Sequence, residues 1–306
     1  MSSSYRVIEL CEYLGIKRQN YYYKAHPRQI PESQIKAVKR VFLESHRAYG
    51  AEKITKQLQR DGMSISPKTV SKIMRCEGLV SKYIQKRKKC SKNQTNRDEI
   101  PDRLKRKFGG KHTCEVVVSD LTYVDIAKRW YYICLIVELS HREIIGVAAG
   151  ENKDAELVKT AIHSIKTDLR KIDTFHSDRG GEFKNEDLDK IFNAFGIKRS
   201  LSRPGKPIDN AVAESMYDVL KTEFVFDETF KDLKDLQTKL TSWVDWYNNR
   251  RLHGSLGMVP PSESRHMCDI GVPERKPFDY KKREKKAKRY ENTVLPLTTR
   301  IPADDN

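Results

Sequence analysis

The chain has 306 residues, which is long enough for one enzymatic domain together with small helical modules. Lys and Arg number 59 against 42 Asp and Glu, and the formal net charge of +17 favours nucleic acid as the partner, ahead of an anionic membrane surface. The sequence contains neither a run of about 18 apolar residues, as a membrane span requires, nor a secretory signal. We therefore expect a cytoplasmic protein with reduced thiols.

The positive charge is concentrated near the N-terminus, where residues 1–110 hold 26 basic and 10 acidic side chains. The first helical pattern runs from Tyr5 to Lys24, with apolar residues at helical spacing and a break at Gly15. This pattern predicts a short helix-turn-helix-like segment over residues 1–30.

Residues 31–90 show a fuller form of the same pattern. Helical spacing covers 33–46 and 51–61, and the capping pair Ser66-Pro67 starts a third helix that ends near Gly78. Three short helices with a basic last helix are typical of a DNA-binding helix-turn-helix module. A generic three-helix bundle with a solvated basic face explains the pattern equally well, and the charge favours the DNA-binding interpretation. The candidate DNA contacts on the third helix are Lys68 and Lys72.

A basic, polar stretch from Lys82 to Lys92 follows, and we expect residues 91–110 to be a linker that also lies along phosphates. From Thr113 onward, three β-branched and aromatic strand patterns with short gaps indicate antiparallel neighbours. Helices and short strands then alternate, which predicts an α/β domain with a mixed sheet over 111–265 and a basic tail over 266–306. The predicted strands are 114–124, 130–139, 143–149, 174–177 and 198–201, and the predicted helices are 155–169, 185–195, 209–224 and 233–250.

Three acidic residues lie at the ends of predicted elements in this domain. Asp120 lies within or just at the end of the first strand, Asp178 directly follows the fourth, and Glu214 lies one turn into a helix, with 35 residues between Asp178 and Glu214. Lys221 follows seven residues later, on the same helix face. Taken singly, each acid is most simply explained as a surface charge, a helix cap or an ion-pair partner. Together they offer hard oxygen ligands suited to Mg²⁺ or Mn²⁺, two of which can support an in-line displacement at phosphorus.

The residues around these acids carry a resemblance to a known family. The blocks 119–123, 176–181, 202–215 and 247–253 look like, in this order, the catalytic blocks of insertion-sequence transposases of the IS-three family, OrfB product. That family spaces its acids as Asp, Asp, 35 residues, Glu, with a basic residue seven further on, and all four positions match. The resemblance covers about residues 5–265. It implies an RNase H-like integrase core behind small all-α helix-turn-helix modules.

The resemblance also implies an Asp-Asp-Glu transposase that cleaves the ends of a DNA element and transfers the freed strands. Its cofactor would be Mg²⁺, for which Mn²⁺ substitutes, with two ions in each active site. Carried over onto the matching positions, Asp120, Asp178 and Glu214 would be the catalytic residues and the metal ligands. Lys221 would hold a DNA phosphate near the scissile bond. The other matched positions are assigned to DNA contact (Arg179, Asn210 and Arg251) or to ordering the site (His176, Asp209 and His253).

Some of these assignments have a structural alternative. Asn210 would serve loop hydrogen bonding as well as DNA contact, and Asp209 caps the catalytic helix. For Arg251 and His253, packing that locks the last helix of the core is an interpretation of equal weight. The chain departs from many relatives at three positions, none of them a metal ligand, which affects expectations about DNA-end specificity: Val117, Glu138 and Glu182 stand where Trp, Asp and Gln are common.

The partner implied by the resemblance is double-stranded DNA, both the terminal repeats of the element and its target, with a homo-oligomer assembled on that DNA. Relatives are often active as a fusion with an upstream OrfA product, which is a further expected partner. The implied location is the bacterial cytoplasm, with nucleoid association when DNA is bound. A catalytically inactive, transposase-derived DNA-binding protein is the main alternative. An RNase H-type nuclease would share the metal chemistry but would not need two helical modules before its core.

Overall fold

The computed structural model describes residues 6–22, 29–84, 114–202 and 211–271. The predicted linker at 91–110, the Asp209-Asn210 pair and most of the predicted basic tail lie outside these residues. The described chain has helices first, then three strands, and then helices that alternate with two further strands. Within the described ranges, no helix is long and apolar enough to cross a membrane.

Two short helices come first, α1 Val7–Tyr13 and α2 Arg18–Tyr22. Gly15 between them has a φ of 63°, a left-handed conformation that favours glycine and ends the first helix. The expected order of helix, glycine turn and helix is therefore confirmed. Within these two helices Cys11 is the one buried side chain, so the segment contributes little apolar core of its own.

Three longer helices form the helix-turn-helix module: α3 Glu32–Glu44, α4 Ala51–Arg60 and α5 Pro67–Cys76. The start of α5 follows from the sequence, because Ser66 Oγ accepts a hydrogen bond from Thr69 N and proline occupies the first helical position. A shared apolar core fixes the three helices, with buried residues at helical spacing on each one: Val38 and Val41, Ile54 and Leu58, and Val70 and Ile73.

The second part of the chain is an α/β domain built on one mixed sheet. Its strands are β1 Val116–Ile126, β2 Arg129–Glu138, β3 Ile144–Gly150, β4 Thr174–Ser177 and β5 Lys198–Leu201. They lie in the order β3-β2-β1-β4-β5. The first three strands pair antiparallel, whereas β4 is parallel to β1 and β5 is parallel to β4. This is the strand arrangement of an RNase H-like core, so the predicted fold class is confirmed.

Helices cover both faces of this sheet because successive residues of a strand point to opposite sides. Val117 packs in one apolar cluster with residues of α6 and α7, and Val118 packs in the other cluster with residues of α8 and α9. The last helix, α10, follows α9. The helices of this domain are α6 Ala155–His163, α7 Glu186–Phe195, α8 Ala211–Leu220, α9 Leu233–Asn249 and α10 Pro261–Asp269.

One helix of the core is shorter than the sequence predicts. α6 ends at His163, although helical spacing continues to residue 169. Ser164 causes this end, because its Oγ donates a hydrogen bond to Ala161 O at 2.7 Å and accepts one from Val147 N at 2.8 Å. The hydroxyl thus ties the end of the helix to the backbone of β3.

Two further elements differ from their predicted bounds. α8 ends as an α-helix at Leu220 and continues as a π-helical segment, Lys221–Val225, where an uninterrupted α-helix is expected. Such π-helical turns are rare and occur often at functional sites. α10 continues to Asp269, beyond residue 265, where we expect the core to end.

The helix-turn-helix module packs directly on the α/β domain. Leu252, which follows α9, is buried in the apolar core of α3, α4 and α5. Its backbone N donates a hydrogen bond to Tyr49 Oη at 2.6 Å. The rings of His46 and Trp246 meet edge to face, with centroids 4.7 Å apart. The two parts of the chain therefore share a buried interface.

Lys82 belongs to this interface, which differs from the position that the sequence predicts for it. The sequence places it at the start of a basic stretch that lies along phosphates. In the structure Lys82 is buried, and its Nζ donates a hydrogen bond to Glu223 O at 3.2 Å and lies 2.9 Å from Asp227 Oδ2. Because both partners belong to the α/β domain, the Lys82 ammonium group links the two domains.

Candidate active site

The first two candidate acids lie side by side where the pairing of two neighbouring parallel strands ends. β1 and β4 pair as far as Ser119 and Ser177. Asp120 is the next residue within β1, and Asp178 is the first residue after β4. Neighbouring strands lie about 4.8 Å apart, so the two carboxylates leave the sheet as a close pair. The strand register thus brings together two acids that are 58 positions apart in the sequence.

The charges of this pair act on each other. Burial, and then the negative charges of Asp178 and Glu182, raise the pKa of Asp120 to about 7, although Leu121 N and the Lys153 ammonium act in the opposite direction. Leu121 N donates a hydrogen bond to Asp120 Oδ1 at 2.8 Å. A partly buried carboxylate with like charges beside it is stabilised by any cation that approaches it.

The loop after β4 is held by hydrogen bonds that orient Asp178. Gly180 N donates to Asp178 Oδ1 at 2.8 Å, and Arg179 Nε donates to Ser202 O at 2.7 Å. The fully buried His176 lies between two serines, with 2.9 Å from its Nδ1 to Ser200 Oγ and 3.3 Å from its Nε2 to Ser202 Oγ. Its ring therefore joins β4 to β5 and to the loop beyond, an arrangement that fits the ordering role expected for it.

The third acid, Glu214, is exposed in the first turn of α8. Tyr217, three residues later and hence on the same helix face, fixes this helix to the site. Its Oη donates a hydrogen bond to the backbone O of Asp120 and accepts one from Leu135 N at 2.9 Å. α8 is therefore anchored on the residue that carries the first carboxylate. In the part of the chain that the structure describes, no three acidic, His or Cys side chains form a metal-binding group.

Lys221 is the first residue of the π-helical segment after α8. Its Nζ lies 5.2 Å from the centroid of the Tyr123 ring, on the strand that also carries Asp120. The ammonium group therefore borders the same stretch of β1 as the acidic pair. Its partly exposed position is compatible with the phosphate contact expected from the sequence.

Arg251 lies elsewhere, and its burial corrects the expectation that it contacts DNA. Its guanidinium forms two hydrogen bonds with Glu223, Nε to Oε2 at 2.7 Å and Nη2 to Oε1 at 2.6 Å. The exposed fractions of the two side chains are 6% and 0%. His253 Nε2 lies 2.9 Å from Arg251 Nη1, and the His253 ring meets that of Tyr247 edge to face. Both residues therefore lock the end of the core, the alternative that the sequence left open.

Lys68 and Lys72 are both exposed on α5, one turn apart. Arg75, the next residue on that face, is exposed as well. The last helix of the module therefore presents a basic, solvent-facing stripe, while its opposite face is buried through Val70 and Ile73.

Two contributors to the site were missed by sequence reasoning. Tyr217 reads as an ordinary apolar position of α8, although its spacing of three residues from Glu214 could have indicated a shared face. Lys153 carries no motif, and its Nζ lies 3.2 Å from the Oε1 of the buried Glu182. Glu182 adds a further acidic group next to Asp120.

Three family models match parts of the chain. Residues 29–89 match a family described as an HTH-like domain. Residues 111–207 and 195–261 match two families that are each described as an integrase core domain. Asp120 and Asp178 fall within the first of these matches, and Glu214 falls within the second.

Transposases of insertion sequences are similar to most of the chain. The transposase for insertion sequence element IS629 of Shigella sonnei is 28% identical over 86% of this chain and 93% of its own length. The "Probable transposase for insertion sequence element IS1353" of Shigella flexneri is 30% identical over 84% of this chain, which spans 51% of that protein. Among solved structures, the HTLV-2 integrase catalytic core domain in complex with magnesium has a TM-score of 0.41 and 14% identity, covering 50% of this chain and 97% of that one.

Proposed function

We propose that the chain is an insertion-sequence transposase, as its similarity to such proteins and its matches to an HTH-like domain and an integrase core domain indicate, and that Asp120, Asp178 and Glu214 are its catalytic acids. As a transposase it is a polynucleotidyl transferase, which breaks and joins phosphodiester bonds of DNA. The observation that carries the assignment is the β1–β4 register, because it brings Asp120 and Asp178 together at the sheet end where α8 is anchored.

The residues at this sheet end fit a divalent cation. The negative charge of Asp178 raises the free-energy cost of ionising Asp120. A cation that lies between the two carboxylates removes this cost. Mg²⁺ is commonly held by one or two carboxylates, with waters and substrate phosphates completing its shell. We assign Asp120 and Asp178 as the first ligands, Glu214 as the third, and Mg²⁺ as the ion, with Mn²⁺ as a substitute and two ions per site.

When bound, such ions lower the pKa of a coordinated water and neutralise charge that develops on phosphate oxygens. The chain itself supplies orientation. Leu121 N and Gly180 N each hold one carboxylate oxygen of the acidic pair, so both side chains keep their direction before DNA arrives. Lys221, at the border of the site, holds a phosphate next to the scissile bond, and Arg179 holds the loop through Ser202.

DNA is brought to this site by the helix-turn-helix module. We assign the basic stripe of α5, which includes Lys68 and Lys72, to the terminal repeat of the element. Because the module shares a buried interface with the catalytic domain, the stripe and the acidic pair keep a fixed relation to each other. We further propose that two copies of the chain act together, since transposition joins two DNA ends, and that an upstream OrfA product assists them.

Strand cleavage and joining test the proposal directly. Labelled duplexes that carry the ends of the encoding element are incubated with the chain and Mg²⁺ or Mn²⁺, and the products are resolved on denaturing gels. We expect metal-dependent 3′ ends and joined products from the natural chain. Glu214→Gln should abolish both and leave duplex binding unchanged, because the amide keeps the shape of the side chain but loses the charge that holds the ion.

A matched control is Glu186→Gln, the same change at an exposed acid in the first turn of α7. It should cleave and join DNA as the natural chain does. Full activity of Glu214→Gln would remove Glu214 from the catalytic set. Binding of the element ends by the natural chain without cleavage, even with the OrfA product present, would favour the catalytically inactive DNA-binding protein.

A further inference from the structure

An aromatic groove lies beside the acidic pair, along the far part of β1. β4 pairs with β1 only as far as Ser119, and β3 pairs with β2 only as far as Tyr132. The β1–β2 ribbon therefore projects beyond both of its neighbours. Between this ribbon and the chain after α8 lies a cavity of about 560 Å³, a size typical of ligand sites. The aromatic groove is lined by, among others, Tyr123, Ile126, Trp130, Lys221, Val225 and Phe226.

Large aromatic side chains in this groove are open to solvent. The exposed fractions are 41% for Tyr123, 54% for Trp130 and 58% for Phe226. The rings of Tyr123 and Trp130 meet at 90° with centroids 5.0 Å apart, so each ring supports the other on the same face of the ribbon. Aromatic rings that are exposed, and that neighbouring rings hold in place, form a surface on which another planar ring can stack.

The tip of the ribbon is held in an unfavourable backbone conformation. Ile126 and Arg129 are paired, which leaves a two-residue turn of Ala127 and Lys128 with φ values of 51° and 66°. Such turns favour Gly or Asn, and a side chain at these φ values costs about 1 kcal/mol or more. Strain of this kind is concentrated at functional sites. The tight turn places Trp130 directly opposite Asp125, beside the groove.

The charges around the groove favour nucleic acid over an apolar partner. Lys221 lies at the end near the acidic pair, and Lys128 and Arg129 are exposed at the tip. Asp125 and Glu228 also line the groove, so its interior does not attract phosphate. Aromatic faces inside a border of cations are the arrangement that binds single-stranded nucleic acid, in which bases stack on rings and the backbone follows the positive charge.

We propose that the aromatic groove binds an unpaired DNA base within about three nucleotides of the cleaved phosphodiester, by stacking it on Trp130, whose ring is supported edge to face by Tyr123. Tyr123 is three residues from Asp120 on the same strand, about 10 Å at the rise of a β-strand, which equals about three nucleotide steps at the duplex rise of 3.4 Å. The inference rests on the proposed function, because that function brings a DNA end to Asp120. It adds a site at which the last bases of the DNA end are separated from their complementary bases.

Binding experiments without any divalent ion test the inference separately from the chemistry. The full chain is titrated in EDTA with two fluorescein-labelled 24-base-pair probes, one blunt and one with a three-nucleotide 3′ overhang that carries 2-aminopurine. We expect tighter binding of the overhang probe, and quenching of 2-aminopurine and of tryptophan fluorescence when it binds. Trp130→Ala should remove that preference, a loss of about 5- to 150-fold, which is the contribution of stacking one base on an aromatic side chain.

Two control variants make the result specific. Trp130→Phe keeps an aromatic face and should restore the preference, although the tryptophan signal is lost. Phe195→Ala changes another exposed aromatic residue, at the end of α7, and should leave both probes unaffected. Unchanged melting temperatures of all three variants would show that the fold is intact.

Several results would overturn the inference. Equal affinity of the natural chain for the two probes, or no binding of the overhang probe, would remove the base-binding role. An equal loss for both probes in Trp130→Ala would mean that the groove contacts duplex DNA in general. A change of oligomeric state in Trp130→Ala, measured by light scattering, would identify the groove as a contact between protein copies. Each of these outcomes leaves the Glu214→Gln cleavage experiment unaffected, so the two proposals fail separately.

Discussion

The buried pair of Arg251 and Glu223 gives a sharp stability prediction. Burial opposes the charge on Glu223, but the charge and hydrogen bonds of Arg251 outweigh it, so the pKa of Glu223 is lowered. Tyr83 Oη, from the chain that follows α5, also donates a hydrogen bond to Glu223 Oε1. The pair thus joins the helix-turn-helix module, the segment after α8 and the segment after α9. Removal of either charge leaves the other one buried without a partner.

Glu223→Gln keeps the shape of the side chain and removes its charge. Breaking a buried pair in this way costs about 3–5 kcal/mol, since the remaining charge is not compensated. Taking about 2–4 °C for each kcal/mol in a domain of this size, we expect the melting temperature to fall by roughly 6–20 °C. Far-UV circular dichroism during heating, and urea unfolding monitored by the same signal, measure the change.

The appropriate control is an exposed ion pair. Lys190 and Asp187 are in contact on α7 with exposed fractions of 74% and 54%, so Asp187→Asn should leave the unfolding curve nearly unchanged. The double variant Glu223→Leu with Arg251→Met should be more stable than either single variant, because no lone charge is left buried. A shift of less than about 2 °C for Glu223→Gln would refute the reasoning, as it would mean that water reaches Arg251 and replaces its partner.

Two further predictions concern pH and DNA binding. The buried His253 has a pKa well below 6.5, chiefly because of burial and then because of Arg251, so only the unfolded chain takes up this proton as the pH falls below about 6.5. The free energy of unfolding should therefore decrease below that pH by up to about 1.4 kcal/mol per pH unit. Urea titrations should show this pH-dependent decrease in the natural chain, and it should be absent from His253→Asn. The double variant Lys68→Ala with Lys72→Ala should bind duplex DNA more weakly than the natural chain. The slope of log K against log salt concentration should decrease in magnitude by about 0.9 for each phosphate that the variant no longer neutralises. An unchanged slope would show that α5 does not face DNA.

The secondary structure and the acidic motif could be predicted from the sequence because both are encoded locally. Ser66 and Pro67 start α5 through contacts within one turn, and β4 has the predicted bounds, 174–177. Asp120, Asp178 and Glu214 follow from spacing, together with the neighbouring residues that carry the family resemblance. Errors arose where a contact with a distant segment decides the outcome, as with Ser164, which ends α6 early by accepting a hydrogen bond from Val147 N of β3.

The tertiary structure alone decided which basic residues face solvent. Lys72 and Arg251 are equally charged in the sequence, yet one is exposed on α5 and the other is buried against Glu223. Tyr217 likewise became part of the site only when the sheet placed Asp120 O within reach of its hydroxyl. The physical reason is that a polar group can be buried only where a distant segment supplies its hydrogen-bond partner. Arg251 and its partner are 28 residues apart, and Tyr217 and its partner are 97 apart, so no local sequence pattern predicts either pair.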